Sequence, residues 1–110
     1  MTTQEAFNTM VKHLRAQGVP SIDYRIGCLY RGPNGLKCAV GCLISDEEYR
    51  PNMEMIKASV LIRDGLISGL GEVNLDLLDD VQRLHDRSHP DQWEDGFRRI
   101  ATDYKLELPA

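Results

Sequence analysis

The 110-residue sequence predicts a small, mostly helical α+β domain with about four helices and one β-hairpin. Three observations carry that expectation. Apolar residues recur at helical spacing along several segments. An alternating stretch near the N-terminal third runs into the turn sequence Gly32-Pro33-Asn34-Gly35. The chain shows no repeat, linker or low-complexity tract, so residues 1–110 are expected to share one core. With 42% hydrophobic and 27% charged residues, such a chain buries roughly two-thirds of its unfolded surface and needs no metal or disulfide to fold.

Thr2-Thr3-Gln4-Glu5 forms a capping box, a hydroxyl followed by a glutamate that reaches back to the cap amide. Ala6, Phe7, Met10, Val11 and Leu14 continue it as one apolar stripe, and Gly18 and Pro20 stop it. The first helix should therefore cover about 3–17. Ile26, Cys28 and Tyr30 then alternate. Pro33 suits a first central turn position, Gly35 can take a positive φ, and Leu36-Lys37 return. The expected hairpin spans roughly 25–38 and must lean on a helix, since a lone hairpin is only marginally stable.

Cys38 to Ile44 is too short and too uniformly apolar to classify by period. A buried helical turn or two is expected there, with Ser45-Asp46-Glu47-Glu48 as a second capping box and Pro51 as its end. Ile56 to Leu66 should be helical, with Ile56, Val60 and Leu61 on one face, and a glycine-rich loop follows. Val73, Leu77, Leu78, Val81 and Leu84 mark a helix ending near Arg87. Pro90 opens another, continued by Trp93, Phe97, Ile100, Ala101 and Tyr104 to about Lys105. The short connection makes this last pair antiparallel.

Three stretches, "YRGPNGLKCAVGCLISDEEY", "QRLHD" and "PDQWEDGFRRIA", resemble a group of small proteins common in bacterial and phage genomes. The resemblance extends over most of the chain and implies the same succession: a helix, a hairpin, an acidic capped turn and two closing helices. Many members carry Met-Glu-Gly after the acidic turn, where this chain has Met53-Glu54-Met55. The resemblance implies no activity and no catalytic residues.

The net charge of −4 argues against a non-specific grip on nucleic acid, which needs a basic face. No apolar run approaches the roughly 20 residues of a membrane span. The N-terminal segment lacks the charged and apolar regions of a signal peptide, so a cytoplasmic location is expected, where thiols stay reduced.

All three cysteines, Cys28, Cys38 and Cys42, lie within the hairpin and the turn after it. Cys38 with Cys42, and His85 with His89, stand four residues apart, which on a helix places two ligands on one face. Cys28 could replace one member of that zinc set. Three arguments oppose a metal. An apolar Cys-Ala-Val-Gly-Cys run is no zinc knuckle, Pro90 pushes His89 out of helical geometry, and the core suffices for folding. Packing is the favoured role, since free cysteine is among the most buried residues. Cys38, His85 and Asp86 or Asp80 also supply the residue types of a thiol–imidazole–carboxylate arrangement, although a reactive thiol needs exposure beside positive charge. No catalytic residue and no cofactor is assigned.

Three roles compete for "QRLHD". Either His85 hydrogen-bonds a loop carbonyl at the edge of the core stripe, or Asp86 caps a neighbouring helix, or the two join in a polar site facing the hairpin. The candidate binding surface is accordingly Tyr30, Arg31, Lys37, His85, Asp86 and Trp93. Trp93 either covers the core edge or anchors a partner. The leading expectation is a non-enzymatic accessory protein that binds another protein, a phage- or host-encoded factor, with modulation of host defence as one form. The alternatives are a small-ligand or metal site between the hairpin and the "QRLHD" helix, and a thiol-dependent or hydrolytic enzyme.

Overall fold

Helix α1, Thr3–Gln17, begins as its capping sequence requires. The Thr2 hydroxyl accepts from the Glu5 amide at 3.1 Å, and the Glu5 carboxylate accepts from the Thr2 amide at 2.8 Å. Gly18 closes the helix in the left-handed conformation, φ 72°, which a residue without Cβ adopts without strain. The structure is a computed structural model describing all residues, Met1–Ala110.

After α1 the chain forms an antiparallel pair, β1 (Ile22–Asp23) and β2 (Gly27–Cys28), with Ile22 opposite Cys28 and Asp23 opposite Gly27. The strands are thus displaced toward the N-terminus from the predicted 25–38. The Asp23 carboxylate accepts from the Arg25 amide at 2.8 Å, and Gly27 takes φ 111°. Asp23 thereby stabilises a tight turn over Tyr24–Ile26 through its own side chain. Ile26, expected on a half-buried strand, is 56% exposed in that turn. What remains of the predicted hairpin is a single bridge, Arg31 opposite Lys37, around the tight turn Pro33–Gly35. Asn34 and Gly35 both take positive φ there.

The segment after Cys38 forms one 3-10 turn, Gly41–Leu43. The Ser45–Glu48 cap holds only a turn, and Pro51 opens a further 3-10 turn, Pro51–Met53. Helix α2 is short, Ala58–Arg63, and Ile56 lies outside it. Helix α3 runs Leu75–Arg87, capped by the Asn74 side chain, and α4 runs Trp93–Asp103 after a 3-10 turn at Pro90–Gln92.

Helices α3 and α4 run antiparallel. The Tyr104 hydroxyl donates to Asp80, Gly96 meets Leu84, and the Trp93 ring stacks on His85. One core joins the stripes of α1, α3 and α4 to the Cys38–Val40 turn and to Met53, Leu61, Ile67 and Leu70. Gly41 makes that closeness possible, since a Cβ there would stand 2.0 Å from the Tyr30 carbonyl oxygen. No helix is long and apolar enough to cross a membrane.

Candidate functional site

The "QRLHD" segment of α3 clasps the chain between α1 and α2 at two points. The Gln82 side-chain oxygen accepts from the Val40 amide at 3.0 Å, while its NH2 group donates to Asp86 at 2.8 Å. His85, with a fully buried side chain, takes the Ser21 amide on Nε2 at 2.9 Å. Because Nε2 accepts, the ring proton sits on Nδ1, which meets the Asp86 carboxylate at 2.7 Å. The motif therefore satisfies two backbone donors that packing removes from water. His85 accepts from a loop amide, where the sequence suggested bonding to a loop carbonyl.

Cys28 completes the nearest approach to a reactive cluster. Ligand atoms of Cys28, His85 and Asp86 lie within 4.8 Å of one another. The predicted quartet Cys38, Cys42, His85 and His89 does not converge. Cys38 is buried in the core, and His89 is exposed and bonded to Asp91 at 2.9 Å. The cluster that does converge is a poor metal donor set in this arrangement. The Nε2 lone pair of His85 faces the Ser21 amide, and moving the ring proton to free Nδ1 would point two N–H groups at each other.

The same hydrogen bond bears on catalysis. In a thiol–imidazole pair the ring must offer a lone pair to the thiol. Here Ser21 occupies it. Burial, reinforced by Asp86, pushes the Cys28 thiol up to about 11. Burial likewise raises Cys42 to about 12 and carries Cys38 higher still. All three are free thiols. The sequence reading named Cys38 as the thiol near His85, and the fold places Cys28 there instead. Strand pairing brings Cys28 back beside α3, while Cys38 turns into the core.

A cavity of about 270 Å³ opens beside this clasp. Its first wall is Cys28, Leu29 and Tyr30, its second is Glu54 to Ala58, and its third is α3, from Asp79 through Gln82 and Asp86 to Arg87. Glu54 organises the second wall. It accepts from the amides of Tyr30 and Arg31 at 2.8 and 3.1 Å and from the Tyr49 hydroxyl at 2.7 Å. The Tyr30 hydroxyl donates to the Ile56 carbonyl. Burial raises the Asp79 carboxyl above its ordinary range, against the pull of Lys57. Lys57 and Arg87 make no ion pair.

Of the six predicted surface residues, Tyr30 and Asp86 line this cavity, with His85 behind Asp86. The other three lie elsewhere. Arg31 is a structural cation. It pairs with Asp46 at 2.7 Å, donates to the Ile44 carbonyl at 2.9 Å and stacks on Tyr49. Trp93 is 3% exposed and packs on His85, so it covers core and offers no anchor. Lys37 is held through its backbone, its carbonyl accepting from Gln17 and meeting the His13 ring.

Sequence reasoning missed Met55, Ile56, Lys57 and Arg87. No sequence pattern marked Met55, whose backbone is left-handed, φ 69°. Met55 is also 77% exposed. Comparison with protein-family models, curated proteins and solved structures returns no match.

Proposed function

We propose that the protein is a non-enzymatic accessory protein that works by binding another protein, a phage- or host-encoded factor. The observation that carries this reading is the exposure of three large side chains, Tyr24, Ile26 and Met55. Tyr24 is fully exposed at the tip of the β1–β2 turn, Ile26 is 56% exposed and Met55 77%. The turn leads directly into Cys28, which lines the cavity together with Met55. Tyrosine with arginine, here Tyr24 beside Arg25, is the pairing enriched where protein interfaces concentrate their energy. Exposed apolar side chains mark contact sites where they cluster, and Tyr24 and Ile26 share the one turn between β1 and β2. Raised thiols and the occupied His85 lone pair weigh against the thiol-enzyme alternative.

A small-ligand site in the cavity is the second reading, favoured by the converging walls of Tyr30 and Asp86. At about 270 Å³ the cavity falls just below the roughly 300–1,000 Å³ of typical ligand sites.

The test compares affinity capture from host lysate by the wild type and by a Tyr24→Ala, Ile26→Ala double variant. Both should show the same melting curve, because neither side chain is buried. At least one stoichiometric partner should be lost from the variant. An identical set of captured proteins in both would overturn the reading.

A further inference from the structure

We infer that His85 is an acid-sensitive latch on the β1–β2 turn: the neutral ring holds the turn through the Ser21 amide, and the protonated ring releases it. The inference goes beyond the protein-binding reading and stands or falls independently of it.

Three observations carry it. The first is what anchors the turn. No residue from Ile22 to Leu29 is buried, so core packing gives this stretch little hold. Its entry is fixed at Ser21, which is fully buried. The Ser21 carbonyl accepts from the Leu29 amide at 3.0 Å and so joins the two ends of the turn. Its hydroxyl donates to the Leu36 carbonyl at 3.4 Å. Its amide has one acceptor, Nε2 of His85, at 2.9 Å. The other polar link from this stretch to α3 is a weak donation from the Cys28 thiol to the Asp86 carbonyl, at 3.9 Å.

The second observation is the chemistry of that acceptor. Only a neutral imidazole has a lone pair to offer, and protonation makes both ring nitrogens donors. Nε2–H would then face the Ser21 N–H, leaving two buried donors without an acceptor. The contact is complete on the alkaline side and lost as pH falls. Histidine is the side chain suited to such a change between about pH 5 and 8.

The third is what a charged ring keeps. Nδ1 still donates to the Asp86 carboxylate, at 2.7 Å. From α4 the Trp93 indole stacks on the ring, centroids 5.8 Å apart, and an aromatic face attracts a cation. The ring therefore charges in place, and the Ser21 segment is the part that moves. Of charged groups, Asp86 alone pairs with His85, while Cys28 of β2 approaches within 4.8 Å as a thiol. Burial pushes Cys28, Tyr30 and Cys38, the titratable groups around Asp86, upward, so they stay uncharged over this range. In acid the turn that displays Tyr24 and Ile26 thus loses its hold on α3 while the helices stay packed.

The test is NMR on the nitrogen-15-labelled protein, taken from about pH 8 to about pH 5. The His85 ring nitrogens should pass from the neutral to the protonated pattern. Protection of the Ser21 and Leu29 amides against hydrogen exchange should fall roughly tenfold or more with the same midpoint. The helical core amides of Val11 and Val81 should keep theirs. His85→Gln supplies a side-chain oxygen that accepts from Ser21 without titrating, so Ser21 protection in that variant should not change with pH. Four wild-type results would each overturn the inference: a His85 ring neutral throughout, a titrating ring with Ser21 protection unchanged, a Ser21 midpoint that follows His13 or His89, or loss of protection at Val11 and Val81 together with Ser21. A pH response that survives in His85→Gln would overturn it as well. The wild-type measurements decide the outcome even where the variant does not fold.

Discussion

Replacing Met55 by glycine should hold or raise stability, whereas replacing it by alanine should lower it. Both substitutions remove the same side chain. Met55 is 77% exposed, so about a quarter of its burial energy is at stake. With roughly 1.5–3 kcal/mol for a fully buried methionine, that loss is about 0.5 kcal/mol in either variant. Alanine keeps a Cβ in the left-handed region at φ 69° and gains nothing in return. Glycine releases about 1–2 kcal/mol of backbone strain. It also adds freedom to the unfolded chain, which costs roughly 0.4–1 kcal/mol. The alanine variant should then fall by about 0.5 kcal/mol, and the glycine variant should stand about 1 kcal/mol above the alanine one. Urea unfolding measures this as a shift in midpoint at constant slope, and a gap of that size moves Tm by roughly 4 °C. A glycine variant no more stable than the alanine variant would refute the reasoning, because it would mean that no strain resides at position 55.

The thiols predict an alkaline stability loss: Cys28 and Cys42 have folded pKa values of about 11 and 12, above the unfolded value near 8.5. Their contribution is complete below about pH 8.5 and disappears as pH rises through the folded values, so the urea midpoint should fall over that window, and less so in a Cys28→Ala, Cys42→Ala variant. Equal slopes in the two proteins would contradict this. Native thiols should also label about two orders of magnitude more slowly than a free cysteine at pH 8, as thiolate fraction controls the rate, and rapid native labelling of Cys28 would count against the burial argument. Gly41→Ala should destabilise by about 1–3 kcal/mol in thermal melts, since its Cβ would press on the Tyr30 carbonyl, and a variant of wild-type stability would show that the backbones can part freely. His85→Leu should cost roughly 2–4 kcal/mol by orphaning the Ser21 amide and losing the stack on Trp93. Combined with Gln82→Ala it should deviate from additivity in a double-mutant cycle, because both side chains meet at Asp86; strict additivity would dissolve the clasp into independent bonds.

Elements whose causes are local were legible in the residues alone. Helix α1 begins at its Thr2–Glu5 box and ends at Gly18 because capping bonds and a left-handed terminus are made by neighbours in the chain. Helices α3 and α4 were legible for the same reason, each carrying an apolar stripe, with Pro90 at a turn where its missing N–H costs nothing. The hairpin was only partly legible. Its general place was readable, but Asp23 set the turn through its own carboxylate, and α3 set the position of the chain by reaching across to Ser21 and Val40.

The candidate site was decided almost wholly by tertiary structure. Tyr30 and Asp86 could be named from motifs, yet no periodicity shows that Glu54 will bond the amides of Tyr30 and Arg31. Met55, the next residue, is left-handed and lines the cavity together with residues of α3. Cys28 rather than Cys38 came to lie beside His85 because strand pairing and burial act between residues far apart in sequence. Caps and stripes are encoded within a few residues and can be read there. A cavity is the space left between elements, and its shape depends on how all of them pack at once.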